Sequence, residues 1–139
     1  MKGKFSLHVI LMILMAVIAI SAIYGGIILS SDPGGHKSGL SIDLLDKTPF
    51  IDYFFPGLFL IIFMGIGNVI GFIMTYLKNI IAGFLGILFG SILIIWISLQ
   101  VIWMGYLSLL QPLMFILAAI EVVVGSIILR RVIKSLRLY

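Results

Sequence analysis

The stretch from Asn68 to Gly90, NVIGFIMTYLKNIIAGFLGILFG, constrains the fold more than any other. One charge, Lys78, sits beside Asn79 between two long apolar runs rich in glycine. A helix on the surface of a soluble protein needs a polar face, and neither run has one. Two membrane helices joined by a tight turn fit the pattern, because a helix satisfies its backbone polar groups internally and needs no water. The rest of the chain agrees. Of its 139 residues, 63% are hydrophobic and only 10% charged, against about half and a quarter in ordinary soluble domains. The expected fold class is all-α: a polytopic membrane protein, one domain over residues 1–139.

Four transmembrane helices are expected, at residues 7–29, 53–77, 80–103 and 112–129. The first run reaches about 34 Å at 1.5 Å per residue, enough for a hydrocarbon core of about 30 Å. Lys2 and Lys4 before it, and the small residues Ala19 and Ser21 within it, admit a secretory signal peptide as the rival reading. The run continues past the short apolar region of such a peptide, which favours an uncleaved helix. His8 reads as an interfacial residue at the inner end. In the second span Pro56 falls in the first turn, where its missing N–H costs nothing. Asp52 precedes that turn and favours it through the helix dipole. Tyr53, Phe54 and Phe55 make an aromatic belt, and Trp96, Trp103 and Tyr106 mark the corresponding end of the third span. Pro112 opens the fourth span. Arg130, Arg131, Lys134 and Arg137 follow it as a basic tail, expected to extend the helix along lipid headgroups.

Orientation follows from the cations. With both termini cytoplasmic, Lys2, Lys4, Lys78 and the four tail residues lie inside, and only Lys37 and Lys47 outside, a strong positive-inside bias. The 30–52 loop is then extracytoplasmic. It opens with the turn signal SSDPGG and holds Asp32, Asp43, Asp46 and Asp52. The pattern LSIDLL at 40–45 suggests one or two turns of interfacial helix, with Leu44 and Leu45 dipping toward lipid. The expected localisation is the cell membrane, multi-pass.

Small residues mark the helix contacts, since close packing holds helices together in lipid. Gly67 and Gly71 form one GxxxG pair. Gly86 and Gly90 form another, extended back to Ala82. The short turn between the two spans makes them antiparallel neighbours, so a glycine-faced hairpin is expected at the centre of the bundle. Dimerisation through the same motifs is the alternative.

Glu121 is the one ionisable residue deep in a span. Ala118, Val122 and Gly125 share its side of the helix, so it is expected to face protein. A carboxylate at this depth costs at least about 2.5–3.5 kcal/mol on insertion scales, and such a group finds a partner or takes up a proton. Asn68, Ser91 and Gln100 are the candidate partners, on faces expected to converge. Glu121 is either a proton or cation relay, or a polar anchor for a ligand headgroup, or a carboxyl that holds the helices in register.

Other chemistry is poorly represented. There is no cysteine, which excludes disulfides and thiolate metal sites. The acidic loop matches neither an EF-hand nor a zinc spacing, so no metal and no cofactor is implied. His8 and His36 fall on opposite sides of the membrane. No nucleophile–His–acid set is evident, and no long basic surface remains outside the spans for nucleic acid.

The segments DPGG at 32–35, TPFIDYFFPG at 48–57, WISLQV at 96–101 and LQPL at 110–113, with Glu121, Gly125 and the basic end, resemble a group of small bacterial four-helix integral membrane proteins. The resemblance implies a bacterial inner membrane or an archaeal equivalent, and brings no activity with it. Small multidrug transporters also combine four helices with one membrane Glu, but theirs lies in the first helix, where this chain has no acid.

The leading expectation is a non-enzymatic membrane component, an accessory subunit or a binder of lipid or another apolar ligand, with Glu121, Asn68 and Gln100 as its polar core. The alternative is a small proton-coupled transporter or channel that uses Glu121 as its coupling carboxyl. A lipid-active enzyme at the outer interface is a third reading without an obvious catalytic set. The expected partners are membrane lipids, with a second copy or another membrane protein possible.

Overall fold

The computed structural model describes residues 2–138. Its elements are helices and turns, and four helices are long and apolar enough to cross a membrane: Leu7–Ser31, Phe54–Tyr76, Ala82–Met104 and Leu110–Arg137. The first belongs to a longer helix, Lys2–Ser31. The fourth begins two residues earlier than expected and continues unbroken through the basic tail. At 1.5 Å per residue it is about 42 Å long, so one end projects beyond a hydrocarbon core of about 30 Å. Pro112 still falls in its first turn, where no N–H is required.

The helices alternate in direction. First packs on second, second on third, third on fourth and fourth on first, which leaves the second and fourth diagonally opposed. Apolar side chains cover the outside: Ile13, Ile20, Ile102, Ile116 and Val123 are each more than half exposed. The fully buried positions include Asn68, Thr75 and Glu121. Apolar outside and polar inside is the arrangement that lipid selects.

Glycine packing corrects the sequence reading. Close backbone approaches join the third and fourth helices and, at Gly26 and Gly57, the first and second, not the second and third. A Cβ on Gly83 would lie 2.6 Å from the Gly125 carbonyl oxygen, and one on Gly125 would lie 2.7 Å from the Gly83 carbonyl oxygen. Gly90 faces Val122 and the Ala118 carbonyl, and Gly86 faces Gly125 and Leu11. Gly67 and Gly71 instead receive side chains, the Phe89 ring and the Met15 thioether. Gly65, Gly67 and Gly71 of the second helix make holes for knobs; the glycines of the third and fourth make a backbone seam.

The turn between the second and third helices is a Schellman cap. Lys78 takes the left-handed conformation at φ 52°, Lys78 N–H donates to Thr75 O and Asn79 N–H to Met74 O. The Asn79 side chain then accepts from Ile81 N–H at 3.1 Å and starts the third helix. The second helix also holds a feature with no sequence signal. From Leu60 to Ile66 it widens to π-type hydrogen bonding, with Gly67 N–H donating to Ile62 O.

At the opposite end the 32–53 segment folds back over the bundle. Gly35 adopts φ +74°, and a side chain there would strike the Leu40 carbonyl, whose own N–H donates to Gly35 O at 3.0 Å. The expected interfacial helix is a single 3₁₀ turn, Ile42–Leu45, capped by Ser41. Leu45 does not dip into lipid. It is 4% exposed and packs inward. Tyr53 ties the segment down, its N–H donating to Pro33 O at 3.0 Å and its hydroxyl to Ser41 O at 2.6 Å. Asp52 caps the second helix directly, accepting from Phe54 N–H at 3.0 Å.

Candidate functional site

The polar groups separate into two places. The first is the bundle core. Glu121 is fully buried, and neither carboxyl oxygen has a hydrogen-bond partner. Its side of the fourth helix also carries Ala118, Val124, Gly125 and Ile128, all buried. Val124 and Ile128 pack with Leu11, Leu14 and Met15 of the first helix. Asn68 is equally buried. Its Nδ2 donates to Met64 O at 2.8 Å, and its Oδ1 is unpartnered. Below it, Thr75 donates to Gly71 O at 2.7 Å.

Depth follows from the packing. Gly67 faces Phe89, and the next residue of the third helix, Gly90, packs on Ala118 and Val122. Asn68 and Glu121 therefore lie within about one helical turn, or 5.4 Å, of each other along the bundle. They approach its axis from diagonal helices. The expected hydrogen bonds from Glu121 to Asn68, Ser91 or Gln100 are nevertheless absent. Ser91 is half-buried at a similar depth. Gln100 stands eleven positions beyond Phe89, roughly 16 Å further toward the loop end at 1.5 Å per residue. Its face does not converge with that of Glu121.

Gln100 belongs instead to the second place, a pocket of about 80 Å³ beneath the 32–53 segment. Phe50, Tyr53, Trp96 and Trp103 wall it, with Leu45 and Thr48 contributed by the loop. The aromatic rings brace one another. Trp96 stacks on Phe59 at 4.4 Å between centroids and meets the Phe50 edge at 6.3 Å, and Phe50 meets Trp103 at 6.4 Å. Such pairs contribute about 0.5–1.5 kcal/mol each beyond burial. The sequence places Trp96 and Tyr53 in interfacial belts; in the fold both are buried.

Two polar groups of the pocket are already committed, since Thr48 Oγ1 donates to Leu45 O at 2.8 Å and Tyr53 to Ser41 O. Burial holds the Tyr53 phenol above the ordinary tyrosine value of 10.0, so the hydroxyl stays a donor. The Trp96 indole N–H is buried with no partner. A buried donor left unpaired costs about 1–3 kcal/mol. Trp96 and Gln100 are both among the residues that line the pocket. Gln111, which sequence reasoning passes over, is a structural group: 8% exposed, it accepts from Leu107 N–H at 2.9 Å and ties the last connection to the fourth helix.

The fold thus defines a multi-pass α-helical membrane protein, with a buried carboxyl in its core and an aromatic pocket at one end. No family model matches the chain, and neither a curated protein nor a solved structure matches it.

Proposed function

We propose that this protein is a non-enzymatic membrane component that binds an apolar ligand bearing a hydrogen-bond acceptor, such as the ester end of a lipid, in the aromatic pocket. The observation that carries this reading is a pocket walled mostly by rings and aliphatic chains, lined also by Gln100 and by Trp96, whose buried indole N–H is unpaired. A ligand carbonyl would satisfy that donor, and the Gln100 amide gives a second contact. The volume suits the end of a ligand and not a whole lipid. The pocket's hydroxyls serve loop hydrogen bonds and no acid–base set surrounds them, which favours binding over chemistry. The distribution of Lys and Arg supports an orientation with both termini cytoplasmic, so that the pocket lies at the outer interface of a cell membrane, the bacterial inner membrane if the resemblance in the motifs holds.

Brominated acyl chains quench tryptophan, and Trp96 and Trp103 both line the pocket. Purified protein titrated with a brominated lipid in detergent should show saturable quenching, weakened several-fold by Gln100→Leu. Quenching that merely tracks bulk lipid, alike in both proteins, would sink the proposal.

A second reading rests on Glu121. A carboxyl held in the bundle core with neither oxygen hydrogen-bonded is a candidate coupling group for a proton-coupled transporter or channel. In proteoliposomes with an imposed pH gradient, Glu121→Gln should then abolish flux while the protein still folds. Equal flux in the two proteins rules that reading out.

A further inference from the structure

At the end of the bundle that carries both termini lies a groove of about 200 Å³ between the first and fourth helices and the Lys78–Asn79 turn. Leu7, Ile80, Ile128 and Val132 form its apolar walls. Arg131 and Ser135, one turn apart on the fourth helix, stand at its rim, with His8 of the first helix lining it too. Charge says what it suits. Lys2, Lys4, Lys78, Arg130, Arg131, Lys134 and Arg137 all belong to this end, and no Asp or Glu does. Four of the five acids lie in the 32–53 segment at the other end, and Glu121 is in the core.

We infer that this groove is a binding site for one anionic phospholipid. Its phosphate meets the Arg131 guanidinium and the Ser135 hydroxyl, and the start of an acyl chain runs between Leu7 and Ile128. Arg131 is exposed, so its planar fork is available for two-point hydrogen bonding to phosphate oxygens. The apolar walls bind no free anion but do hold a chain. The site is independent of the aromatic pocket, which lies at the opposite end of the bundle and carries no cation in its lining.

The test uses the full chain in mild detergent, with bound lipid counted by native mass spectrometry. Phosphatidylglycerol should be retained at least tenfold more strongly than phosphatidylcholine of the same chains. Arg131→Gln should lose about tenfold in phosphatidylglycerol retention, the worth of one charge-assisted hydrogen bond. Arg131→Lys should recover part of it. Arg137→Gln, beyond the groove, should change retention less than twofold. Equal losses in Arg131→Gln and Arg137→Gln would mean diffuse attraction to the basic end and would overturn the site. Equal retention of the two lipids by the unaltered protein would overturn it without any variant, as would full competition by inorganic phosphate.

Discussion

The seam between the third and fourth helices gives the sharpest test of the packing. Alanine at Gly83 would place a Cβ 2.6 Å from the Gly125 carbonyl oxygen and 2.7 Å from the Leu129 nitrogen. Both atoms are backbone, so no side chain can swing aside. Restoring ordinary contact, which begins near 3.4 Å, requires the helices to part by up to about 0.8 Å, and a gap of that size forfeits a quarter to a half of each neighbouring dispersion contact. Overpacking of this kind costs about 1–3 kcal/mol. Gly71 differs in kind. Its Cβ would meet the Met15 Cε at 2.7 Å and Sδ at 3.0 Å, the end of an unbranched and adaptable side chain, so Gly71→Ala should cost about 1 kcal/mol or less. Gly25 has nothing within 4 Å. There alanine should be neutral or stabilising by up to about 1 kcal/mol, through helix propensity. Reversible unfolding of the purified protein in mixed detergent micelles would rank the three. The order Gly83→Ala, Gly71→Ala, Gly25→Ala in decreasing cost is required. A Gly83→Ala protein as stable as the parent, or a Gly71→Ala protein equally damaged, refutes the backbone seam.

Three further outcomes are expected. Glu121→Leu removes a buried group with no partner and should leave stability unchanged or raise it by about 1–3 kcal/mol; the same micelle titration measures it, and a loss instead would show that the carboxyl is bonded. Tyr53→Phe deletes the 2.6 Å bond to Ser41 O and should loosen loop docking by about 0.5–1.5 kcal/mol, read as faster amide hydrogen exchange at Leu40, whose N–H is bonded to Gly35 O. Because the folded phenol titrates above 10.0, its contribution is complete below about pH 10 and is lost as pH rises through the folded value; the loop amides of Tyr53→Phe should lack that alkaline step. Gly35→Ala forces a side chain into the left-handed region and against the Leu40 carbonyl, so it should lower saturable quenching by brominated lipid as much as Gln100→Leu does.

The spans were legible because lipid imposes one demand along their whole length, and each run of about twenty apolar residues answers it locally. The buried positions of Glu121 and Asn68 were legible for the same reason, since a polar side chain in a span has nowhere to face but inward. Pairing was not. Glycine at Gly67, Gly71, Gly86 and Gly90 states that something approaches closely, not whether it is a backbone or a side chain. The short turn at Lys78 makes the second and third helices neighbours without saying which faces they present. Gln100 falls outside the polar core because a shared helix face does not fix a depth in the bundle. Leu45 and Tyr53 read as interfacial residues because their burial depends on how the loop folds back over the bundle after its turn, fixed by contacts such as Tyr53 N–H to Pro33 O that no local pattern announces.

The widened segment Leu60–Ile66 links the two places where polar groups gather. In a regular α-helix, positions eleven apart lie on nearly the same face, roughly 20° from each other. Gly57 and Asn68 are such a pair, yet they serve different neighbours. Gly57 lies against the backbone of Gly26 and Ser30 of the first helix, close enough to seat Pro56 and Tyr53 beside the aromatic pocket. Asn68 faces the bundle axis at the depth of Glu121. The π-type hydrogen bonding between them takes up extra backbone in one turn and offsets the two faces. Without it, a helix seated on the first through Gly57 would turn Asn68 away from the axis, or a helix with Asn68 at the axis would lift Gly57 off the first. A single helical period read along the sequence cannot show this offset. The same offset lets a single helix serve both a pocket at the loop end and a polar layer in the core.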